Sequence, residues 1–350
     1  MDLLWRMGYA FGISLLTAWV IAPWIIKYLK RRKWEQVFRD QKEVRDLAQL
    51  HSAKARTPTM GGIIIVIATM SGTIFLVHWN FQVIVTLCTY LAVMFMGFID
   101  DLAKVRAQNT RGIPGRMKLL IQFGLTLVIG GILYFNPDLY ERYCVLPIPF
   151  SGYSLSITPF IFFIIFLFCV LAGTSNAVNL TDGLDGLVTS CAMPVIFFLG
   201  IVSFITGNGT LATLCQCPYI AGNGELGILC ASLLGALIVF LWHNGYPASI
   251  FMGDTGSLSL GILIGMVAFL TNHPFHLMIG GGIFVLEALS DIIQVFSYKF
   301  RHQRRIFKMA PLHHHFELLG VHETKITRRF GIISGLLSLL SIVGLWHFWG

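Results

Sequence analysis

Residues 158–206 read TPFIFFIIFLFCVLAGTSNAVNLTDGLDGLVTSCAMPVIFFLGIVSFIT. Two apolar runs, 158–175 and 187–206, each have the length a helix needs to cross a bilayer, about 20 residues. Between them lies NAVNLTDGLDG, residues 176–186. Asp182 and Asp185 stand three positions apart there, with Asn176 and Asn179 ahead of them and a glycine after each acid. So polar an insert costs insertion energy and asks for a functional reason. Taken alone, it reads equally well as a Gly-rich turn between two helices with solvated acids.

The same apolar pattern recurs from end to end. The chain is 55% hydrophobic and 12% charged, against about 25% charged in soluble domains. This composition predicts an all-α polytopic membrane bundle, one domain over residues 1–350. Ten spans are expected, at 7–28, 60–79, 82–99, 119–136, 158–175, 187–206, 226–242, 257–271, 275–298 and 330–349. The first ends in Lys27, Lys30, Arg31, Arg32 and Lys33 without a small-residue cleavage site, so it reads as a retained span. The eighth is short, and Pro194 is a candidate kink in the sixth. A short external β-hairpin is expected at 145–157, where VLPIPF and YSLSI flank Ser151-Gly152.

The net charge of +8 points to basic loops at a membrane surface rather than to nucleic acid. Of the 25 Lys and Arg, ten lie in 27–56, five in 100–118 and eight in 299–329. All three segments follow odd-numbered spans. The positive-inside rule puts that face in the cytoplasm and both termini outside. By the same parity, Lys54, Asp100-Asp101, Asp182 with Asp185, Asp254 and His313-His314-His315 fall on the basic face. Seven cysteines without regular spacing imply neither a metal site nor a disulfide framework.

These clusters carry chemistry. GFIDD, residues 97–101, ends an apolar run in two adjacent acids. Adjacent residues do not share a helix face, so one can face a site while the other turns aside. Carboxylates at a membrane surface suit Mg2+, which takes one or two of them with water and phosphate oxygens. FMGDTGSL, residues 251–258, sets Asp254 between glycines at a candidate helix start that favours anions. Phe251 is either a base-stacking residue or an interfacial anchor. For MAPLHHHFELLG, residues 309–320, metal ligation, phosphate binding and acid–base work all remain open. Lys54, Arg56, Lys104, Arg116 and Lys118 are candidate phosphate contacts. Glu287, Asp291 and Gln294 share one helical face, and an acid at that depth should face the bundle interior. The ensemble suits phosphoryl transfer between a soluble and a lipid-borne substrate.

With TPTMGG, residues 57–62, these motifs resemble those of the polyprenyl-phosphate N-acetylhexosamine-1-phosphate transferases, in order and across essentially the whole chain. The histidine segment with TPTMGG resembles the muramoyl branch. The resemblance implies transfer of phospho-MurNAc-pentapeptide from UDP-MurNAc-pentapeptide to undecaprenyl phosphate, giving lipid I and UMP in peptidoglycan synthesis. It also implies Mg2+ as cofactor and a homodimer in the bacterial cytoplasmic membrane. It marks Asp100, Asp101, Asp254 and His313 as catalytic, with Asp254 the metal ligand. Lys54, Asn179, Asp182, Gly183, Leu184, Asp185, Asn244, Phe251 and Gln294 match the nucleotide side, and Lys104 and His314 join them as candidate substrate contacts. Two departures stand out: Arg56 replaces the glycine usual before TPTMGG, and Asp291 replaces an apolar residue. A sister transferase for GlcNAc-1-phosphate and an ion-coupled transporter are the alternative readings. So are two mechanisms, direct attack by the lipid phosphate or an acyl-phosphate on an aspartate, with Asp100 set against Asp101 for the role at the lipid phosphate.

Overall fold

The structure, a computed structural model, describes residues 2–35, 57–109, 112–215, 217–301 and 303–346. Among them are fourteen helices and one small hairpin. The helices are α1 (Leu3–Arg32), α2 (Gly62–Ile74), α3 (Phe81–Ala107), α4 (Gly115–Phe135), α5 (Pro137–Tyr143), α6 (Phe160–Thr181) and α7 (Leu187–Thr206). They continue with α8 (Gly209–Leu214), α9 (Asn223–Asn244), α10 (Gly253–Leu270), α11 (Pro274–Gly280), α12 (Gly282–Phe300), α13 (Leu312–Glu317) and α14 (Glu323–Trp346). Strands β1 (Val145–Pro147) and β2 (Ser154–Ser156) pair antiparallel, Leu146 opposite Leu155.

Among the described residues, eight helices are long and apolar enough to cross a membrane: α1, α3, α4, α6, α7, α9, α10 and α14. The all-α polytopic architecture is therefore as expected, and several spans differ in detail, three of them through a change in how the helix starts or breaks. The second span is only the 13-residue α2. Its expected first residues are used otherwise: Met60 has φ 70°, Phe251 N–H donates to Pro58 O at 2.8 Å, and Gly61 N–H donates to Phe251 O at 2.8 Å. The ninth is two helices, α11 and α12, bent by 82°. The break falls in Gly280-Gly281-Gly282, where helix propensity is lowest short of proline. The eighth is longer than expected, because α10 begins at Gly253 rather than Ser257. Helix α7 runs unbroken through Pro194.

Helix α10 is the hub. Every residue from Thr255 to Leu270 is buried, as expected of a helix apolar on all sides, and it packs against α2, α3, α6 and α7. Between helices in lipid the hydrophobic effect supplies little, so close backbone approach matters more. Gly97 lets α3 come against the Asp254 backbone, where any Cβ would overlap it. That contact lies one turn before Asp100 and Asp101. The outer surface is apolar and rich in aromatics: Trp24, Phe75, Phe135 and Trp242 are each more than 70% exposed, as suits lipid contact and interfacial anchoring.

Candidate active site

The C-terminal end of α3, the first turn of α4 and the N-terminus of α10 meet. Asp100, Asp101 and Asp254 offer carboxylate oxygens all within 4.8 Å of one another. Two lysines lie among them. Lys104, one turn after Asp100, places Nζ 2.6 Å from Asp100 Oδ2 and 3.1 Å from Asp254 Oδ2. Lys118 of α4 places Nζ 2.9 Å from Asp100 Oδ2 and 2.5 Å from Asp254 Oδ2. Asp100 also accepts the Ile113 N–H at 2.5 Å, which draws the segment after α3 onto the cluster.

The two adjacent acids have different work. Asp101 Oδ1 accepts the Asp254 N–H at 3.1 Å, and Oδ2 accepts the Thr255 N–H at 2.9 Å and its hydroxyl at 2.7 Å. It thus caps α10 from another helix, satisfying donors a helix start leaves without partners. This explains why α10 starts at Gly253, whose φ is 70° and whose absent side chain leaves room for Asp101 and Thr59. Asp100 instead turns its oxygens to the lysines and the Ile113 amide.

The loop between α6 and α7 forms a second wall. Asn179 accepts the Ser257 hydroxyl at 2.6 Å. Asp182, half-buried, lies beside Gly253. Burial first, then the charges of Asp254 and Asp101, push its carboxyl up to about 8 against the opposing pull of the Gly253 N–H. Asp185 accepts the Ala248 N–H at 2.9 Å, and its carbonyl accepts the Thr327 hydroxyl at 3.2 Å. It ties the loop to the turn before α10 and to α14. Leu184 is buried. Gly183 abuts His313 Nε2, and a Cβ there would overlap the ring.

His313, in α13, is fully buried. Its ring Nδ1 is 3.1 Å from Glu287 Oε2 and its backbone N–H donates to Glu287 Oε1 at 3.2 Å. His314 Nδ1 lies 2.7 Å from Glu317 Oε2. Gln294 spends its amide on loop backbone, accepting from Ile306 and Phe307 N–H and donating to Phe307 O. Asn244 likewise donates to Ile250 O at 2.9 Å and accepts from Thr189. Phe251 is half-buried, its backbone paired with residues 58 and 61. Lys54 lies outside the described residues. The fold therefore gathers Asp100, Asp101, Asp254, Lys104, Asn179, Asp182, Gly183 and His313, while the amides of Gln294 and Asn244 brace the backbone.

Sequence reasoning left out the part Lys118 plays between two carboxylates and the cap that Thr255 receives. It left Glu287 without an assigned partner. Glu287 carried a signal, an acid deep in an apolar run, and Lys118 stood only as one of several candidate phosphate contacts.

The model of Glycosyl transferase family 4 matches residues 83–272. Signature 1 of the phospho-N-acetylmuramoyl-pentapeptide-transferases matches residues 54–66. Relatives of that name include one from Methylacidiphilum infernorum (isolate V4), 43% identical over 97% of this chain and 92% of the relative. Another, from Rickettsia prowazekii (strain Madrid E), is 41% identical over 97% and 92%. A third, from Syntrophus aciditrophicus (strain SB), is 40% identical over 96% and 92%.

Proposed function

We infer the reaction from one premise: the chain belongs to the phospho-N-acetylmuramoyl-pentapeptide-transferase family of glycosyl-1-phosphate transferases. It is an integral membrane enzyme of multiple spans. We propose that its donor is UDP-MurNAc-pentapeptide and its acceptor undecaprenyl phosphate, that Mg2+ is its cofactor, and that the site faces the cytoplasm. The observation that carries this is the buried carboxylate cluster with two lysines at its centre. A lipid phosphate and a nucleoside diphosphate are both polyanions, and catalysis of their exchange is mainly positioning and charge neutralisation.

The donor set fits Mg2+. Both Asp101 oxygens are occupied by α10 donors, which leaves Asp254 with Asp100 beside it. Mg2+ takes one or two carboxylates and completes its shell with water and phosphate oxygens. When bound, the ion neutralises charge on the departing phosphate. Asp254 would hold it, with Asp100 alongside.

The chain's own groups would act as follows. Lys104 and Lys118 move from the carboxylates to the incoming phosphates. Asp100, freed of part of that pairing, orients the lipid phosphate and takes its proton where one remains. An oxygen of that phosphate forms a bond to the sugar-side phosphorus as the bond from that phosphorus to UMP breaks. Asp101 keeps α10, and so Asp254, in place. Direct attack is preferred because the acceptor is already an anionic nucleophile, and a phosphoenzyme trapped by rapid quench without lipid acceptor would contradict it.

The proposed orientation is supported by charge: 23 of 25 Lys and Arg lie in three segments after odd-numbered expected spans. The homodimer belongs to the same proposal, and crosslinking in native membranes checks it. The test of the function is purified protein with Mg2+, undecaprenyl phosphate and each UDP-sugar. UMP and lipid I from UDP-MurNAc-pentapeptide alone support it. Turnover of UDP-GlcNAc instead would assign the sister reaction, and solute uptake into liposomes without UMP release would assign a transporter.

A further inference from the structure

Glu287 is fully buried in α12, within an apolar segment. A carboxylate at such a place is costly and persists where it has a definite partner. Its two oxygens meet the same residue: Oε1 accepts the His313 backbone N–H at 3.2 Å, and Oε2 lies 3.1 Å from His313 Nδ1. The first contact caps the second residue of α13, whose N–H has no partner within that helix. The second fixes the ring. An ionised carboxylate only accepts, so Nδ1 must carry a proton. The other ring nitrogen, Nε2, is buried without a hydrogen-bond partner among the described residues. It abuts Gly183, the one residue type that leaves the ring room there. Gly183 follows Asp182 in the loop that walls the carboxylate cluster.

We infer that Glu287 is a positioning residue for this reaction, holding His313 with Nδ1 protonated and Nε2 turned toward the 182–183 loop as the ring atom offered to substrate. The inference rests on the transferase reading of the same site. A histidine's free nitrogen is set by the bond its other nitrogen makes, so the carboxylate decides what Nε2 can do. If Glu287 were itself protonated toward the ring, Nδ1 would accept and Nε2 would carry the hydrogen, the opposite arrangement.

Two measurements test this. In wild-type protein labelled with ring-15N histidine, with His313→Gln used for assignment, His313 is expected to carry its proton on Nδ1. A neutral ring with the proton on Nε2 overturns the inference. In the transferase assay, Glu287→Gln is expected to lower kcat about 10- to 100-fold, with KM for the UDP-substrate within about threefold of wild type. Its amide N–H faces Nδ1 and should move the His313 proton to Nε2. Glu287→Asp, which keeps the carboxylate on a shorter reach, should retain the Nδ1 proton and an intermediate kcat. Wild-type kcat in Glu287→Gln overturns the inference. Should that variant not fold, the wild-type spectrum decides alone. Absence of transferase activity in the wild type would refute the function and leave the spectroscopic result standing.

Discussion

Helix α9 runs between two buried charge clusters of opposite character. Beside its first turn, Arg6 of α1 is 6% exposed and pairs with Glu225, donates to Leu76 O at 2.9 Å and meets His78 Nδ1 at 3.1 Å. Glu225 also accepts the His78 N–H at 2.7 Å. One cation faces one acid, and backbone partners take much of the remaining hydrogen-bonding capacity. Beyond its last turn, Asp100, Asp101 and Asp254 lie against two cations among the described residues, Lys104 and Lys118, with Asp182 close by. Both clusters join distant helices. Among the described residues the first is balanced and closed, and the second keeps an excess of acid and lysines able to change partners. A balanced buried pair reads as a staple, whereas an unbalanced one reads as a place prepared for a cation and a polyanion.

The largest expected effect lies at the open cluster. Asp254→Asn should lower kcat about 10³-fold, the scale of losing a group that stabilises developing charge, while the protein still folds. UMP release measures it, and wild-type turnover would erase the distinction. The staple should respond the other way round. Arg6→Ala leaves the half-buried Glu225 without its cation, though still accepting the His78 N–H, so it should cost about 3 kcal/mol of stability in a detergent unfolding titration, with kcat of the folded fraction unchanged. A loss of kcat without loss of stability would place function at both ends.

Lys118→Met removes a charge-assisted contact worth about 2 kcal/mol, so kcat/KM should fall roughly 30-fold. A smaller effect concerns pH. Asp182, raised to about 8, is protonated at neutral pH. A cation bound among its acidic neighbours favours its ionised form. Mg2+ binding at pH 7 should therefore release up to one proton. Apparent affinity should rise with pH, by at most about tenfold per unit, and level off above pH 8. In Asp182→Asn that dependence should weaken, as calorimetry in buffers of different ionisation enthalpy would show.

Much of the fold is legible in the chain because a bilayer admits few backbone solutions. The apolar runs marked where the spans lie, although α3 runs on to Ala107 and α14 starts at Glu323, well beyond the expected bounds of 99 and 330, and VLPIPF with YSLSI marked the hairpin. Where local pattern misled, the cause was long-range. The strand-like pairing of residues 58–62 with 251–252 shortened α2, and Asp101 lengthened α10 by capping it from α3. The Gly280-Gly281-Gly282 break was visible as composition, but its 82° bend depends on what packs around it. At the site, motif residues gathered from five distant segments, yet their division of labour was not readable. Nothing local tells Asp100 from Asp101, and only the fold shows one turned to the lysines and the other to a helix end. The same holds for Glu287, whose partner lies 26 residues on.

The central claim is that the unbalanced carboxylates form a divalent-cation site and the balanced pair does not. Mn2+ binding to purified protein, followed by electron paramagnetic resonance in place of Mg2+, tests it most directly. The account predicts one site in the wild type that is retained in Arg6→Lys and lost in Asp254→Asn. Unchanged Mn2+ binding in Asp254→Asn would contradict it.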